Sequence, residues 1–380
     1  MEKIYLDHNA TTPLHPEVLE AMLPAFRENF GNPSSIHSFG RTVRVQLDEA
    51  REKVAGLIGA QSSEIIFTSG GTEANNLALL GMSLKDTNKN IITSKIEHPS
   101  ILNPCRQLEQ QGVEVFYLGV DCDGRIDINE LDAKLTESTA LISLQHANSE
   151  TGVLQDIKRV SEIAKNKGIP FHTDAVQSIA KVPFNLKDFS VDMLSISAHK
   201  FNGPKGVGAL YLKKGTPSLF STVCGGNQEK KRRGGTENVP GIIGFGKACE
   251  LASLKVEKKT QIADLRDYFL DRIYKMIPRT QLLGDKKNRL PNTLNIGFDG
   301  LQGDTLLVAL DLDGVAVSTG SACSSGTGLP SHVLQAMCIP DEIINGSIRF
   351  SLGEKTSKSQ LDTVLGTLVK VVELNKTVIL

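Results

Sequence analysis

From about residue 63 to 212 the chain alternates short β-branched runs with longer stretches that mix polar and apolar residues. The runs fall at 64–68, 90–93, 113–117, 140–144, 169–172, 192–196 and 208–211. Each is too short for a helix and long enough for a buried strand. Helices are predicted between them at 73–84, 99–111, 127–135 and 157–167, several opened by an Asp, Ser or Thr suited to capping. Strand and helix in alternation require crossover connections, so the fold class is α/β, with a mostly parallel sheet covered on both faces. In such sheets ligands sit beyond the carboxyl ends of the strands.

After a glycine-rich passage at 225–246 the rhythm changes. One long charged amphipathic helix is expected over 250–276, then strands near 293–296, 315–317 and 347–351, then a closing helix over 357–374. The expected division is a large α/β domain at 15–250. A smaller α+β domain is expected from 1–14 together with 251–380.

Lys and Arg total 42 against 43 Asp and Glu, a net charge of −1, which removes the field that a nucleic-acid or anionic-membrane binder needs. The run 306–310 is among the longest strictly apolar stretches, far short of the roughly 20 residues of a membrane span, and no signal-peptide core opens the chain. A cytoplasmic location is expected. The six cysteines form no CxxC pair and no zinc spacing, so neither a structural metal site nor a disulfide framework is signalled.

Candidate chemistry gathers at strand ends. Lys200 closes the sequence Ser195-Ile196-Ser197-Ala198-His199-Lys200 and precedes a Gly-rich turn, a setting in which an amine can be desolvated for Schiff-base chemistry. Asp174 follows another buried run, placed either to cap a helix or to meet a pyridinium nitrogen. Thr68-Ser69-Gly70-Gly71-Thr72 leads from a strand into a helix, an arrangement that points N–H groups at an anion. Ser197 and His199 are further donors to the same anion. Cys323 lies in a loop of small polar residues at 318–328, which predicts an exposed, mobile thiol. The remaining cysteines, 105, 122, 224, 249 and 338, lack such a setting.

Taken in order, the segments at 5–13, 31–37, 68–76 (TSGGTEANN) and 97–100 (EHPS) and the SAHK motif at 197–200 resemble the cysteine desulfurases. These are pyridoxal-phosphate enzymes of the class V aminotransferases, and the likeness runs from Tyr5 to the Arg349 region. It implies fold type I with a seven-stranded sheet, and a reaction in which L-cysteine yields alanine and a persulfide on Cys323. It also implies that Lys200 binds pyridoxal 5'-phosphate covalently, Asp174 meets the pyridine nitrogen, and Gln177 and Asn148 lie near the ring hydroxyl. His98 would stack on the ring and move protons. Gly71, Thr72, Ser197, Ala198 and His199 would hold the cofactor, with Thr236 reaching the phosphate of the other subunit of a homodimer. Arg349 and Asn9 would bind substrate. No metal is required, although Cys323 could transiently ligate a nascent iron–sulfur cluster. The longer Gly/Ser loop resembles the group of sulfurtransferases that pass sulfur to an iron–sulfur scaffold protein or a tRNA-thiolation enzyme. One departure is Arg233-Gly234-Gly235-Thr236, where the family often has Arg-Ser-Gly-Thr, preceded by an unusually basic Lys230-Lys231-Arg232. The alternatives are a selenocysteine lyase, another class V aminotransferase, or an inactive sulfur-transfer scaffold.

Overall fold

In the computed structural model residues 3–83, 89–254, 256–319 and 330–378 are described, without the side chains of 256–259 and 375–378. All seven predicted runs are strands of one sheet. Its spatial order is Ile65–Thr68, Gly208–Leu212, Met193–Ser197, Phe171–Asp174, Thr139–Ser143, Asn90–Ser94 and Val115–Leu118. Only Gly208–Leu212 runs antiparallel to its neighbours. Every residue of the three central strands is buried, including the polar Ser143, His172, Thr173 and Ser195. The helices Gly71–Ser83, Pro99–Gln110, Ile128–Lys134 and Ile157–Lys167 fall within a few residues of their predicted spans.

A second, antiparallel sheet orders Ser318–Thr319, Ser347–Ser351, Thr293–Phe298 and Thr280–Leu282. Its core includes Phe269, Phe298 and Phe350, and Ile4 and Leu6 of the N-terminal segment pack into it. Ile4–Tyr5 pairs in parallel with Val315–Ala316. Among the described residues no helix is long and apolar enough to cross a membrane.

The single helix expected over 250–276 is instead two, Val239–Ser253 and Val256–Met276. Gly241, Gly244 and Gly246 of the glycine-rich passage lie inside the first. Their absent side chains let two other helices approach: a Cβ on Gly244 would lie 2.6 Å from Met22 Sδ, and one on Gly246 would lie 2.8 Å from the Ala50 Cα. Close helix packing here outweighs the low helix propensity of glycine.

Ahead of that helix, Glu229, Lys230 and Lys231 hold φ of 43°, 57° and 66°, three successive left-handed non-glycines. The turn is pinned from one end. Arg51 donates to both oxygens of the Glu229 carboxylate at 2.7 Å, and the Phe67 N–H donates to the same group. Lys231 is exposed. Since a left-handed conformation costs a residue with a Cβ roughly 1–2 kcal/mol, Lys231→Gly should raise unfolding stability by about 1 kcal/mol. Urea unfolding at an unchanged denaturant slope checks this, and a loss of stability would contradict it.

Candidate active site

The carboxyl ends of the central strands open onto a cavity of about 430 Å³. At one side the helix Gly71–Ser83 begins, with its free backbone N–H groups and positive dipole end at the wall. Gly71, Thr72, Ser197 and His199 line this side. A Cβ on Gly71 would lie 2.7 Å from Val176 Cγ2, so only glycine fits there. Burial and the nearby Lys200, Lys205 and Lys181 push His199 down to about 4, leaving it a neutral hydrogen-bonding ring that also meets Thr11 Oγ1 at 3.1 Å.

Asp174 ends its strand beside this cradle. Asn75 Nδ2 donates to its Oδ2 at 2.7 Å and the Val176 N–H donates to Oδ1 at 2.9 Å, which fixes the carboxylate plane. His98 caps the helix Pro99–Gln110 by accepting the Ser100 N–H at Nδ1. Burial is the main cause of its lowered pKa, so the ring is neutral and its hydrogen sits on Nε2. Lys200 follows the strand Met193–Ser197, its Nζ donating to the carbonyl oxygens of Asn9 at 2.6 Å and Ala10 at 2.9 Å. It is the only lysine among the described lining residues.

Arg349 enters from the second sheet, paired in register with Asn295 and Ser318. It is 3% exposed, its Nη2 donates to Asp7 Oδ1 at 2.7 Å and its Nη1 to the Ser149 carbonyl, while its buried Nε has no acceptor. Arg349 lines the cavity, and a guanidinium held in place by Asp7 is suited to meet a carboxylate.

The donor set fits pyridoxal phosphate. An anion cradle without a side chain at Gly71, a fixed carboxylate, an aromatic imidazole and an amine surround one space, and these are the contacts that a phosphate, a pyridinium nitrogen, a ring face and an aldehyde require.

Three of the expected contacts are engaged with other parts of the chain. Asn9 lines the cavity, yet its side chain has nothing left for substrate. Nδ2 donates to Ser149 O and Thr293 Oγ1, and Oδ1 accepts from Lys181 and Asn292. Asn148 lies outside the cavity wall, its oxygen accepting from the N–H groups of Glu150 and Thr151 and its Nδ2 donating to the Ile96 carbonyl. Ala198 is fully buried, and its backbone closes the turn to Phe201 and Gly203 rather than facing a ligand. Thr236 is exposed and does not line the cavity of its own chain. Gln177 does line it. Cys323 lies outside the described residues. The described residues on either side of its segment lie at the cavity: Ser318 pairs opposite Arg349, and His332 Nε2 donates to the Glu97 carbonyl oxygen at 2.9 Å.

Sequence reading assigned no role to Glu97, Asp7 or His332. Glu97 is the most unusual of them. It is fully buried in the cavity wall, its Oε1 accepts from the Ser94 hydroxyl at 2.6 Å and the Gln145 N–H, and its Oε2 has no partner. Burial, reinforced by the charge of Asp174, pushes it up to about 8. Between the ordinary value of 4.5 and about 8 the folded chain holds a proton that the unfolded chain has released, so stability falls as pH rises through that window. Glu97→Gln removes this dependence. The variant should gain on the parent by a few kcal/mol between pH 5 and pH 8, measured by urea unfolding at both. An equal difference at the two pH values would contradict the assignment.

Comparison with known proteins agrees with this geometry. The model of the class-V aminotransferase family matches residues 4–364. The chain is 52% identical over 379 residues to the cysteine desulfurase IscS of Dictyoglomus turgidum, covering 99% of this chain and 96% of that protein. It is 48% identical over 373 residues to the IscS of Methanosarcina thermophila, covering 97% and 92%. Among solved structures, a NifS-like protein superposes with a TM-score of 0.92 at 36% identity over 98% of this chain and all of that one. SspA in complex with cysteine superposes with a TM-score of 0.83 at 34% identity, over 94% of this chain and all of that one. With a lysine, a carboxylate and an anion cradle at the ends of a fold type I sheet, the chain belongs to the class-V aminotransferase family and, within it, to the pyridoxal-phosphate-dependent cysteine desulfurases.

Proposed function

We propose that the chain takes sulfur from L-cysteine, releases alanine and carries the sulfur as a persulfide on Cys323 for delivery to an acceptor protein. The observation that supports this best is the pairing, in one cavity, of Lys200 and Asp174 with an Arg349 whose Nε is unsatisfied. Pyridoxal phosphate, when bound, supplies an electron sink for the bonds broken at the substrate carbons.

The chain's own groups divide the remaining work. Thr72, Ser197, His199 and the helix N-terminus hold the phosphate, and Asp174 keeps a proton on the ring nitrogen. Arg349, aimed by Asp7, orients the substrate carboxylate. Lys200 Nζ takes the substrate Cα proton, and the Asn9 and Ala10 carbonyls hold that nitrogen at the cavity when it is protonated. His98 Nε2 is the site where a proton is handed over. The Cys323 thiolate then attacks the substrate sulfur: an S–S bond forms, the carbon–sulfur bond breaks, and its electron pair leaves with the carbon, which takes a proton to become alanine. Two thiols become one persulfide and one methyl group, so no outside oxidant is needed. Cys323 comes four residue steps after Thr319, a tether of at most about 14 Å that begins one residue beyond the partner of Arg349.

The chain works as a homodimer in this reading, and an acceptor such as an iron–sulfur scaffold or a tRNA-thiolation enzyme draws the sulfur off. Phe26, Phe30, Ile36 and Phe39 are exposed, Ile36 at 90%, with the Phe30 and Phe39 rings in contact, and Thr236 is exposed and does not line its own cavity. A large lobe at 15–250 and a small one at 1–14 and 251–380 meet at the site.

Incubation with L-cysteine should give alanine and, by mass, one added sulfur on Cys323. Cys323→Ala should cut alanine formation at least a hundredfold while leaving the yellow colour of the bound cofactor. Arg349→Lys should raise KM by about 10- to 100-fold, the loss of roughly 1.5–3 kcal/mol expected for a charged two-point contact. Full alanine production by Cys323→Ala would contradict the persulfide assignment.

A further inference from the structure

A second lysine stands behind the first. Lys181 does not line the cofactor cavity, and its stem forms part of a separate, smaller cleft on the far side of Lys200. Its Nζ is turned inward, 2.7 Å from Gln177 Oε1 and 3.0 Å from Asn9 Oδ1. The turn that delivers it is costly: Ala180, immediately before, holds φ of 67°, a left-handed conformation that a residue with a Cβ rarely adopts. An amine buried at the expense of backbone strain is characteristic of a functional site.

The orientation of the Gln177 amide follows from its partners. Gln177 faces the Asn9 backbone carbonyl, which can only accept, so its nitrogen lies there, at 2.9 Å, and its oxygen lies toward Lys181. Asn9 is settled in the same way by the Ser149 carbonyl. Both atoms opposite Lys181 Nζ are therefore oxygens, and Lys181 donates to both. Gln177 Nε2 has two hydrogens. The Asn9 carbonyl takes one, and the other remains for the cavity that Gln177 lines.

We propose that Lys181 is a positioning residue for the cofactor: by holding the oxygen end of the Gln177 amide, it aims the free Gln177 N–H at the ring oxygen of pyridoxal phosphate. The inference rests on the reading of Gln177 as the contact to that oxygen. The groups around Lys181 agree with such a role. Lys200 and Arg349 repel it, and His8 and His199 are neutral; among the described residues no carboxylate pairs with it, and its hydrogen bonds go to the two amide oxygens. Burial and the charges of Lys200 and Arg349 hold its pKa well below the lysine norm. Its N–H groups donate in either protonation state.

The test is a double-mutant cycle on the dissociation constant of pyridoxal phosphate and on the absorption maximum of the bound cofactor, using full-length chain. Gln177→Met and Lys181→Met should each weaken binding about tenfold and move the absorption maximum in the same direction, by removing one hydrogen bond to a charged oxygen. The double variant should also stand about tenfold below the parent, not a hundredfold, with an absorption maximum equal to that of Gln177→Met. Additive losses, or a Lys181→Met protein that binds and absorbs like the parent while Gln177→Met is impaired, would overturn the proposal and leave the Gln177 reading intact. If Gln177→Met is itself silent, both fall. Lys181→Gln, which keeps one N–H donor, carries the same cycle if Lys181→Met does not fold.

Discussion

The carbonyl oxygen of Asn9 carries two hydrogen bonds on which the site depends, from Lys200 Nζ and from Gln177 Nε2. The same residue ties its N–H to Ser351 and its side chain to Ser149, Lys181, Asn292 and Thr293. One short segment near the N-terminus thereby joins the strand ends of the large sheet to the middle of the small one. A lysine that must be bonded, released and bonded again needs a fixed place to return to, and fixed backbone acceptors supply it without a competing negative charge. Asp7, two residues earlier, fixes Arg349 from the same segment. The nucleophilic amine and the guanidinium proposed to bind substrate therefore share one reference frame, although 149 positions separate them in sequence.

Charge is distributed with similar economy. Asp174 is held by two N–H donors, while Glu97, in the same wall, is pushed up by burial and keeps its proton. The histidines around the cavity, His98, His199 and His332, are all lowered by burial and stay neutral near pH 7. A cavity arranged in this way presents one negative group to a ring nitrogen and positive or donor groups to a phosphate and a carboxylate. The near-zero net charge of the whole chain is compatible with capture of a small zwitterion, since the selectivity resides in a few buried groups.

Much of this was legible from sequence because it is local. The seven strands announce themselves as short β-branched runs, and the cradle, the carboxylate and the lysine each follow a strand within a few residues, where an α/β sheet places its ligands. What could not be read is long-range. Nothing in the spacing around Asn9 shows that residues 149, 181, 292 and 293 consume its side chain, so a polar residue in a family motif was taken for a substrate contact. The Asn148 oxygen is likewise engaged, accepting from the N–H groups of Glu150 and Thr151. The glycine-rich passage carries no sign that Gly244 and Gly246 sit inside a helix, where their bare Cα atoms admit Met22 and Ala50. Lys181 carried no signal, because a lysine after a turn is ordinarily solvated and its inward course depends on the strained Ala180.

The central claim is that the N-terminal segment organises the site, so the most direct measurement is the affinity of Asn9→Ala for pyridoxal phosphate, alongside the thermal midpoint of the cofactor-free protein. The account predicts that affinity falls by at least tenfold and that the midpoint drops as well, since the side chain makes four buried or partly buried hydrogen bonds worth about 1 kcal/mol each. Cofactor affinity within twofold of the parent would contradict it.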